Sequence, residues 1–282
     1  MPEKIGGLTA HSTLTLNDGG AIPMLGFGVF QIASGDACEN AVSEALAAGY
    51  RHIDTAWIYR NEASVGKAIA RSGIPRKDLY LTTKTPFDLS PEKIRAEFAQ
   101  SLEKLQTDYV DLYLIHWPMA DPPLQGAWET LQALKADGRC RSIGVSNFTI
   151  RRFEEAFLKP GVPIPAVNQF EAHVFNFDTK LVDYCRAKGM VVEAYSPLAR
   201  GQKMAHPVLD KIAAAHGKSN AQVMIRFLLQ KSVVVLPKSV TPSRIRENIN
   251  VFDFELTDEQ MRALEGLNEG LVIQDWRPQN YY

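Results

Sequence analysis

LYLTTKTPFDLSPEKIRAEFAQSLEKL, residues 79–105, joins a short apolar run to a longer amphipathic segment. The run has the length of a strand, and the segment repeats its apolar residues with the period of a helix. Ser90-Pro91-Glu92-Lys93 has the composition of a helix N-terminus. The stretch therefore predicts a strand followed by a helix.

The same unit recurs along the chain. Eight apolar runs are each followed by a helical pattern, and they cover residues 26–30, 51–56, 79–85, 110–117, 140–147, 166–172, 191–198 and 233–239. No long linker or break in composition separates them. We predict an α/β protein in which residues 1–282 form a single (β/α)8 TIM barrel domain, with a doubly wound sheet as the alternative.

Two further elements flank the predicted barrel. STLTLNDGGAIPML, residues 12–25, alternates apolar and polar residues on both sides of NDGG, which predicts an N-terminal β-hairpin with a type I′ turn. Thr257-Asp258-Glu259-Gln260 resembles a helix start and predicts an extra C-terminal helix after the eighth unit. Residues 206–230 are predicted to be a helical region.

Composition narrows the function classes. The chain has 31 basic and 32 acidic residues, so its net charge of −1 supplies no field for nucleic acid or an anionic membrane. The three cysteines are far apart and lack CxxC spacing, which fits a reducing cytoplasm. No stretch approaches the ~18 apolar residues of a membrane span. We expect a cytoplasmic protein with no metal and no required protein partner.

Four polar residues stand at or just beyond predicted strand ends, where the loops of a barrel carry function. They are Asp54, Tyr59, Lys84 and His116. Singly, each has a structural explanation: a helix cap, a rim aromatic, a surface lysine or a core histidine. Together they come from consecutive units and can meet at one mouth. An ammonium beside the phenol would lower its pKa, the carboxylate would pair with the ammonium, and the imidazole would bind the oxygen that receives the proton.

Six separated motifs extend this pattern over nearly the whole chain: GYRHIDTAWIYRNE, TTKT, LIHWP, IGVSNF, AYSPL and LPKSVTPSRIRENINVFDFEL. In this order they resemble the aldo-keto reductase superfamily. The resemblance implies a catalytic tetrad of Asp54, Tyr59, Lys84 and His116. In it, Tyr59 protonates a carbonyl oxygen while a reduced nicotinamide delivers hydride, and His116 orients the carbonyl.

The resemblance also implies how a nicotinamide cofactor is held. Ser146, Asn147 and Gln169 would bind the carboxamide of the ring and Tyr195 would stack on it, although a strand end and a core aromatic are the structural readings of these residues. Ser196, Leu198 and Val240 complete the implied cofactor set. A Rossmann GxGxxG loop is absent from the sequence. Two YxxxK matches could indicate a short-chain dehydrogenase, but Tyr80 and Lys84 would lie about 13 Å apart along a strand, and the match at Tyr184 has no glycine-rich loop upstream.

LPKSVTPSR, residues 236–244, places Lys238 and Ser239 after the last predicted strand and Arg244 near a helix start. Cations, a hydroxyl and a helix N-terminus favour phosphate binding, and a solvated basic loop is the alternative. The resemblance assigns these three residues to the 2′-phosphate of NADPH, and Glu247 and Asn248 to adenine. NADPH is then expected in preference to NADH.

The expected substrate is a small aldehyde, ketone or keto-sugar. Phe30, Trp57 and Trp117, together with His116, are predicted to form an aromatic wall. Compact length and the short loop MADPPLQGAW, residues 119–128, make the chain similar to the bacterial 2,5-diketo-D-gluconate and methylglyoxal reductase group. HVFNF at 173–177 and the tail at 269–282 depart from that group's pattern. A non-catalytic NADPH-binding regulatory barrel and a sugar isomerase remain the alternative functions.

Overall fold

A computed structural model describes residues 7–119, 124–158 and 160–274. The chain begins with an antiparallel hairpin of β1 (Thr13–Thr15) and β2 (Ala21–Pro23). Leu16 N–H donates to the Gly20 carbonyl at 2.8 Å, so the loop is the three residues between them, and in it only Gly19 has a positive φ, of 86°. The hairpin prediction is confirmed, but the type I′ turn is wrong, because that turn needs positive φ at both central residues. Asn17 instead donates its side-chain amide to the Pro165 carbonyl at 3.0 Å.

Eight parallel strands follow in a sheet whose spatial order is the chain order. They are β3 (Phe27–Gly28), β4 (His52–Asp54), β5 (Tyr80–Lys84), β6 (Val110–Ile115), β7 (Cys140–Ser146), β8 (Val167–Glu171), β9 (Val191–Tyr195) and β10 (Val234–Leu236). Gly26 N–H donates to the Val235 carbonyl and Val235 N–H to the Met24 carbonyl, each at 2.9 Å. These bonds join the first strand region to the last. The sheet is therefore a barrel, and the doubly wound alternative is excluded.

Helices form the outer layer and alternate with the strands. They are α1 (Asp36–Ala48), α2 (Glu62–Arg71), α3 (Pro91–Leu105), α4 (Leu124–Ala136), α5 (Ile150–Phe157), α6 (Thr179–Ala187), α7 (Pro207–His216), α8 (Asn220–Gln230), α9 (Pro242–Ile249) and α10 (Asp258–Glu265), with short 3-10 helices at Trp57–Tyr59, Arg76–Asp78 and Ala199–Gly201. The predicted helical region 206–230 contains two helices, α7 and α8, and Gly217 at φ 61° ends the first. The extra helix α10 begins with the predicted capping box of Thr257 and Gln260.

The hairpin closes the end of the barrel where the strands begin. Leu16 and Ile22 are 3% and 0% exposed and pack against a cluster of inward-facing residues. That cluster contains Tyr80, Leu112, Leu114, Ala166, Val167 and Val234. Because this end is filled, a cavity can form only towards the strand C-termini. Among the described helices, none is both long and apolar enough to cross a membrane.

Candidate active site

A cavity of about 1020 Å³ opens at the C-terminal ends of the strands. Three of the four residues predicted to be catalytic line it, namely Asp54, Tyr59 and His116, and Lys84 lies buried beneath them. Most of the predicted cofactor residues line it too: Ser146, Asn147, Gln169, Tyr195, Ser196, Leu198, Lys238, Ser239, Arg244, Glu247 and Asn248. One cavity therefore brings together residues that are almost 200 positions apart in the sequence.

Lys84 is the central cation of the cavity floor. Its Nζ donates to Asp54 Oδ1 and Oδ2 at 2.7 and 2.8 Å, and to the Thr55 carbonyl at 2.9 Å. Both side chains are buried, so the pair is protected from screening. Nζ also lies 3.4 Å from Tyr59 Oη, which joins acid, ammonium and phenol in one hydrogen-bonded line.

The pKa values in this line are set by opposing effects. Burial raises the pKa of Tyr59, and Lys84 lowers it by favouring the phenolate, with a net upward direction. Lys84 thus acts on the phenol in the predicted sense, but desolvation outweighs it, so the expected pKa below the usual range for tyrosine is not found. Burial also opposes the charge on Lys84, yet Asp54 more than compensates and keeps the pKa of Lys84 above its usual value. Lys84 is therefore an ammonium at neutral pH.

His116 faces Tyr59 across the floor, with ring centroids 5.8 Å apart in an edge-to-face arrangement. Burial and the nearby charge of Lys84 hold the pKa of His116 well below the usual range, so the imidazole is neutral. Its Nδ1 is buried without a hydrogen-bond partner among the described residues. A neutral imidazole can donate one hydrogen bond to a carbonyl oxygen without placing a second cation beside Lys84.

The predicted carboxamide residues form a connected polar group. Asn147 takes the left-handed conformation at φ 65° and donates its amide to the His116 carbonyl and Ser146 Oγ, each at 3.0 Å. Tyr195 Oη donates to Asn147 Oδ1 at 2.8 Å. Gln169 Nε2 donates to Asp54 Oδ2 at 2.9 Å, which leaves its carbonyl oxygen to accept a bond from a ligand. These residues fit the amide group of a nicotinamide.

A basic end of the cavity lies at β10 and the start of α9. Lys238 and Arg244 line it, and neither forms an ion pair within the described part of the chain. Burial lowers the pKa of Lys238, and the positive charge of Arg200 lowers it further. Ser239 is buried beside them. Cations grouped without a carboxylate partner suit an anionic ligand, which fits the phosphate of the implied cofactor.

The aromatic wall differs from the prediction. Phe30 and Trp117 line the cavity, and the ring of Phe30 lies 4.9 Å from that of Tyr59. Trp57 does not line it, which corrects the prediction: its indole N–H donates to Glu97, and Arg60 covers its ring at 4.0 Å. Ile58 and Phe87 line the wall instead. Val240 is 54% exposed and does not line the cavity either, because its side chain points to solvent from the loop before α9.

Several lining residues escaped the sequence analysis. Ser219 and Asn220, at the start of α8, line the part of the cavity next to α9, where Ser219 Oγ donates a hydrogen bond to Glu247. Phe87 and Gln274 lie in loops and Arg200 in the short 3-10 helix Ala199–Gly201, and no periodicity fixes the path of these segments. Glu193 was also missed, although it is the one charged residue in the apolar strand VVEAY, and that was a usable signal.

The start of the C-terminal tail reaches the cavity. Glu171, at the end of β8, accepts the backbone N–H groups of Ile273 and Gln274 at 2.6 and 2.8 Å. Phe175, in the divergent HVFNF stretch, accepts the N–H groups of Glu269 and Leu271 through its carbonyl. Residues 275–282 of the divergent tail and residues 120–123 of the short loop lie outside the described residues.

The described residues contain no group of three His, Cys, Asp or Glu side chains arranged to hold a metal ion.

Comparison with known proteins gives consistent matches. A model of the Aldo/keto reductase family matches residues 24–269. A glyoxal reductase of Bacillus subtilis is 45% identical over 258 residues, covering 91% of this chain and 93% of that protein. An aldo-keto reductase of Mycolicibacterium smegmatis is 45% identical over 259 residues, covering 91% and 94%. The crystal structure of an aldo/keto reductase from Brucella melitensis superposes with a TM-score of 0.87 at 46% identity, covering 91% of this chain and 99% of that one.

Proposed function

The chain belongs to the aldo/keto reductase family and is an oxidoreductase acting on carbonyl compounds, and on that premise we propose that it reduces a small aldehyde or ketone with NADPH, using Tyr59 as the proton donor. The observation that carries the proposal is the hydrogen-bonded line from Asp54 through Lys84 to Tyr59 at the cavity floor. A bound reduced nicotinamide supplies the hydride.

The chain's own residues supply the proton and the orientation. Neutral His116 donates a hydrogen bond to the carbonyl oxygen and holds it near Tyr59 Oη. As the carbonyl carbon gains hydride, Tyr59 transfers its proton to the oxygen, and the alcohol forms. The phenolate left behind lies 3.4 Å from the Lys84 ammonium, which stabilises it until solvent returns a proton.

Cofactor choice follows from the two ends of the cavity. Ser146, Asn147 and Gln169 would hold the carboxamide, with Tyr195 against the ring. At the basic end, Lys238, Ser239 and Arg244 would bind the 2′-phosphate that distinguishes NADPH from NADH, and Glu247 and Asn248 would flank the adenine. NADPH is accordingly the preferred cofactor.

The substrate proposed is a small or flat carbonyl compound, including dicarbonyls and keto-sugars. Phe30, Phe87 and Trp117 give the reaction end an aromatic wall, and one relative at 45% identity is named a glyoxal reductase. The proposal requires no protein, nucleic-acid or membrane partner. A cytoplasmic setting fits the three cysteines, which are all buried free thiols.

Tyr59→Phe tests the proton donor. The variant should bind NADPH within about twofold of wild type and lose about 10²–10⁴-fold in glyoxal reduction, because only the transferred proton is removed. Fluorescence titration measures binding, and NADPH oxidation measures turnover. Tyr109→Phe is the control, since Tyr109 lies between Arg76 and Arg141 and not at the cavity. Near-normal turnover in Tyr59→Phe would refute the assignment, and wild-type binding without turnover of any carbonyl would favour a regulatory barrel.

Arg244→Ala tests the cofactor. NADPH affinity should fall about ten- to a hundredfold, the worth of one charge-assisted hydrogen bond, while NADH affinity changes little. Raising the salt concentration should weaken NADPH more than NADH, since the phosphate contact is screened. Arg246→Ala is the matched control, because Arg246 lies on the same helix but pairs with Glu44 at 2.6 Å. Equal weakening of both cofactors would show that Arg244 only supports the loop.

A further inference from the structure

Glu193 is a fully buried carboxyl group directly below the proposed reaction site. It lies on β9 opposite Gln169 in the parallel register and is 0% exposed. Nothing in the proposed proton transfer uses it. A buried carboxyl group is costly unless it is bonded or neutral, so its partners decide what it does.

Gln169 connects this carboxyl group to the catalytic line. Gln169 Nε2 donates one hydrogen to Glu193 Oε2 at 2.6 Å and the other to Asp54 Oδ2 at 2.9 Å. Both amide hydrogens are thus bound by carboxyl groups, and the opposite edge of the amide presents only its carbonyl oxygen. Without Glu193, the amide would lose one of the two bonds that fix its plane.

The floor of the cavity contains two carboxyl groups, those of Asp54 and Glu193, but one cation, the Lys84 ammonium. Lys84 bonds both oxygens of Asp54 and none of Glu193. His52, whose Nε2 lies 3.7 Å from Glu193 Oε1, supplies no charge, because burial lowers the pKa of His52 to about 3. Glu193 Oε1 also lacks a hydrogen-bond partner among the described residues. Oε1 is therefore the oxygen that can carry a proton without losing a bond.

We propose that Glu193 is a positioning residue: a neutral carboxylic acid that fixes the amide of Gln169 for the cofactor and leaves one anion and one cation beside Tyr59. The inference rests on the proposed function, since it assigns Gln169 to the nicotinamide. Burial and the neighbouring Asp54 raise the pKa of Glu193 to about 8, which agrees with a neutral acid at pH 7.

Ionisation of Glu193 would change the reaction site without breaking it. The titratable groups that face it from the neighbouring elements are Asp54, His52, Lys84, Tyr59 and Tyr80. Of these only Lys84 is cationic, and Asp54 already neutralises it. A new negative charge would raise the pKa of Tyr59 further and make it a weaker proton donor. Reduction should therefore slow as the pH rises through about 8.

The test compares wild type with Glu193→Gln, which keeps the size and the hydrogen bonds but cannot ionise, and with Glu193→Leu. Between about pH 6 and about pH 10, wild-type glyoxal reduction should fall through one step near pH 8 to a lower plateau, because the ionised form keeps Tyr59 as a weaker proton donor. Glu193→Gln should lack that step and bind NADPH within about threefold of wild type. Glu193→Leu should bind NADPH about tenfold more weakly, because Gln169 loses an acceptor.

An activity-independent measurement accompanies these assays. The infrared carbonyl stretch of a buried protonated carboxylic acid should lose one component in wild type as the pH passes about 8, and Glu193→Gln should lack that component. Coincident pH profiles of wild type and Glu193→Gln, or absence of that component from wild type, would overturn the inference. Failure of wild type to bind NADPH or reduce carbonyls would instead reject the proposed function, and it is visible before any variant is compared.

Discussion

Lys84 is bonded on three sides, to Asp54, to the Thr55 carbonyl and to Tyr59. Lys84→Met should abolish reduction, because the phenolate loses its stabilising charge, and should cost about 3–5 kcal/mol of unfolding free energy, because Asp54 is left buried and unpaired. Lys84→Met/Asp54→Asn should recover most of the stability and none of the activity. Urea unfolding and turnover measure the two effects. Recovery of turnover in the double variant would make Lys84 purely structural.

A side chain at the end of a strand has its direction set by the strand, so its place at the site can be predicted from sequence. Asp54 and Lys84 end β4 and β5, so the strand pattern alone points them to the mouth of the barrel. Trp57 lies in a one-turn 3-10 helix, and no periodicity sets which way its side chain turns. The upward direction of the Tyr59 pKa is equally hidden from sequence, because the burial that raises this pKa comes from neighbours in other elements.

At the scale of elements, α2 and α3 approach each other at Gly66. A Cβ there would lie 2.4 Å from the Lys104 carbonyl oxygen. Gly66→Ala should therefore destabilise the protein by about 1–3 kcal/mol, because backbone must shift. Gly126→Ala in α4 is the matched control: among the described residues its Cβ would meet only Pro91 Cγ, at 3.6 Å, and helix propensity should make it neutral or stabilising by up to about 1 kcal/mol. Equal midpoints of thermal unfolding for Gly66→Ala and Gly126→Ala would contradict this packing argument.

The elements themselves were largely predictable, and the exceptions are local. All eight strands and the terminal helix α10 lie where the apolar pattern and the Thr257 cap predict them. The hairpin loop has three residues instead of two, and its Asn17 bonds the Pro165 carbonyl, a partner 148 residues away that local sequence cannot reveal. The helical region predicted over 206–230 divides into two helices at Gly217, and a glycine at that place is a sequence signal for a helix end.

At the scale of the molecule, stability and chemistry occupy opposite ends of the barrel. Ile22 is 0% exposed in the cluster that fills the strand N-termini. Ile22→Ala should cost about 2–5 kcal/mol of unfolding free energy and leave turnover at low temperature unchanged. Leu158→Ala, at a side chain 47% exposed, should change stability by about 0.5 kcal/mol or less. If Ile22→Ala instead lost turnover at a low temperature where it is still folded, the N-terminal end of the barrel would be coupled to the cavity at the other end.

The anchor of the tail on Glu171 has an evolutionary consequence. The family match ends at residue 269, whereas the anchored segment at Ile273 and Gln274 lies beyond it and reaches the cavity. Glu171 accepts hydrogen bonds from backbone N–H groups, which every residue except proline possesses. Substitutions at Gln274 can therefore present new side chains to the cavity while the anchor on Glu171 persists, whereas Ile273 packs in the hydrophobic core and is constrained by it. Proline at position 273 or 274 would remove one of these two hydrogen bonds, because it has no N–H group to donate to Glu171.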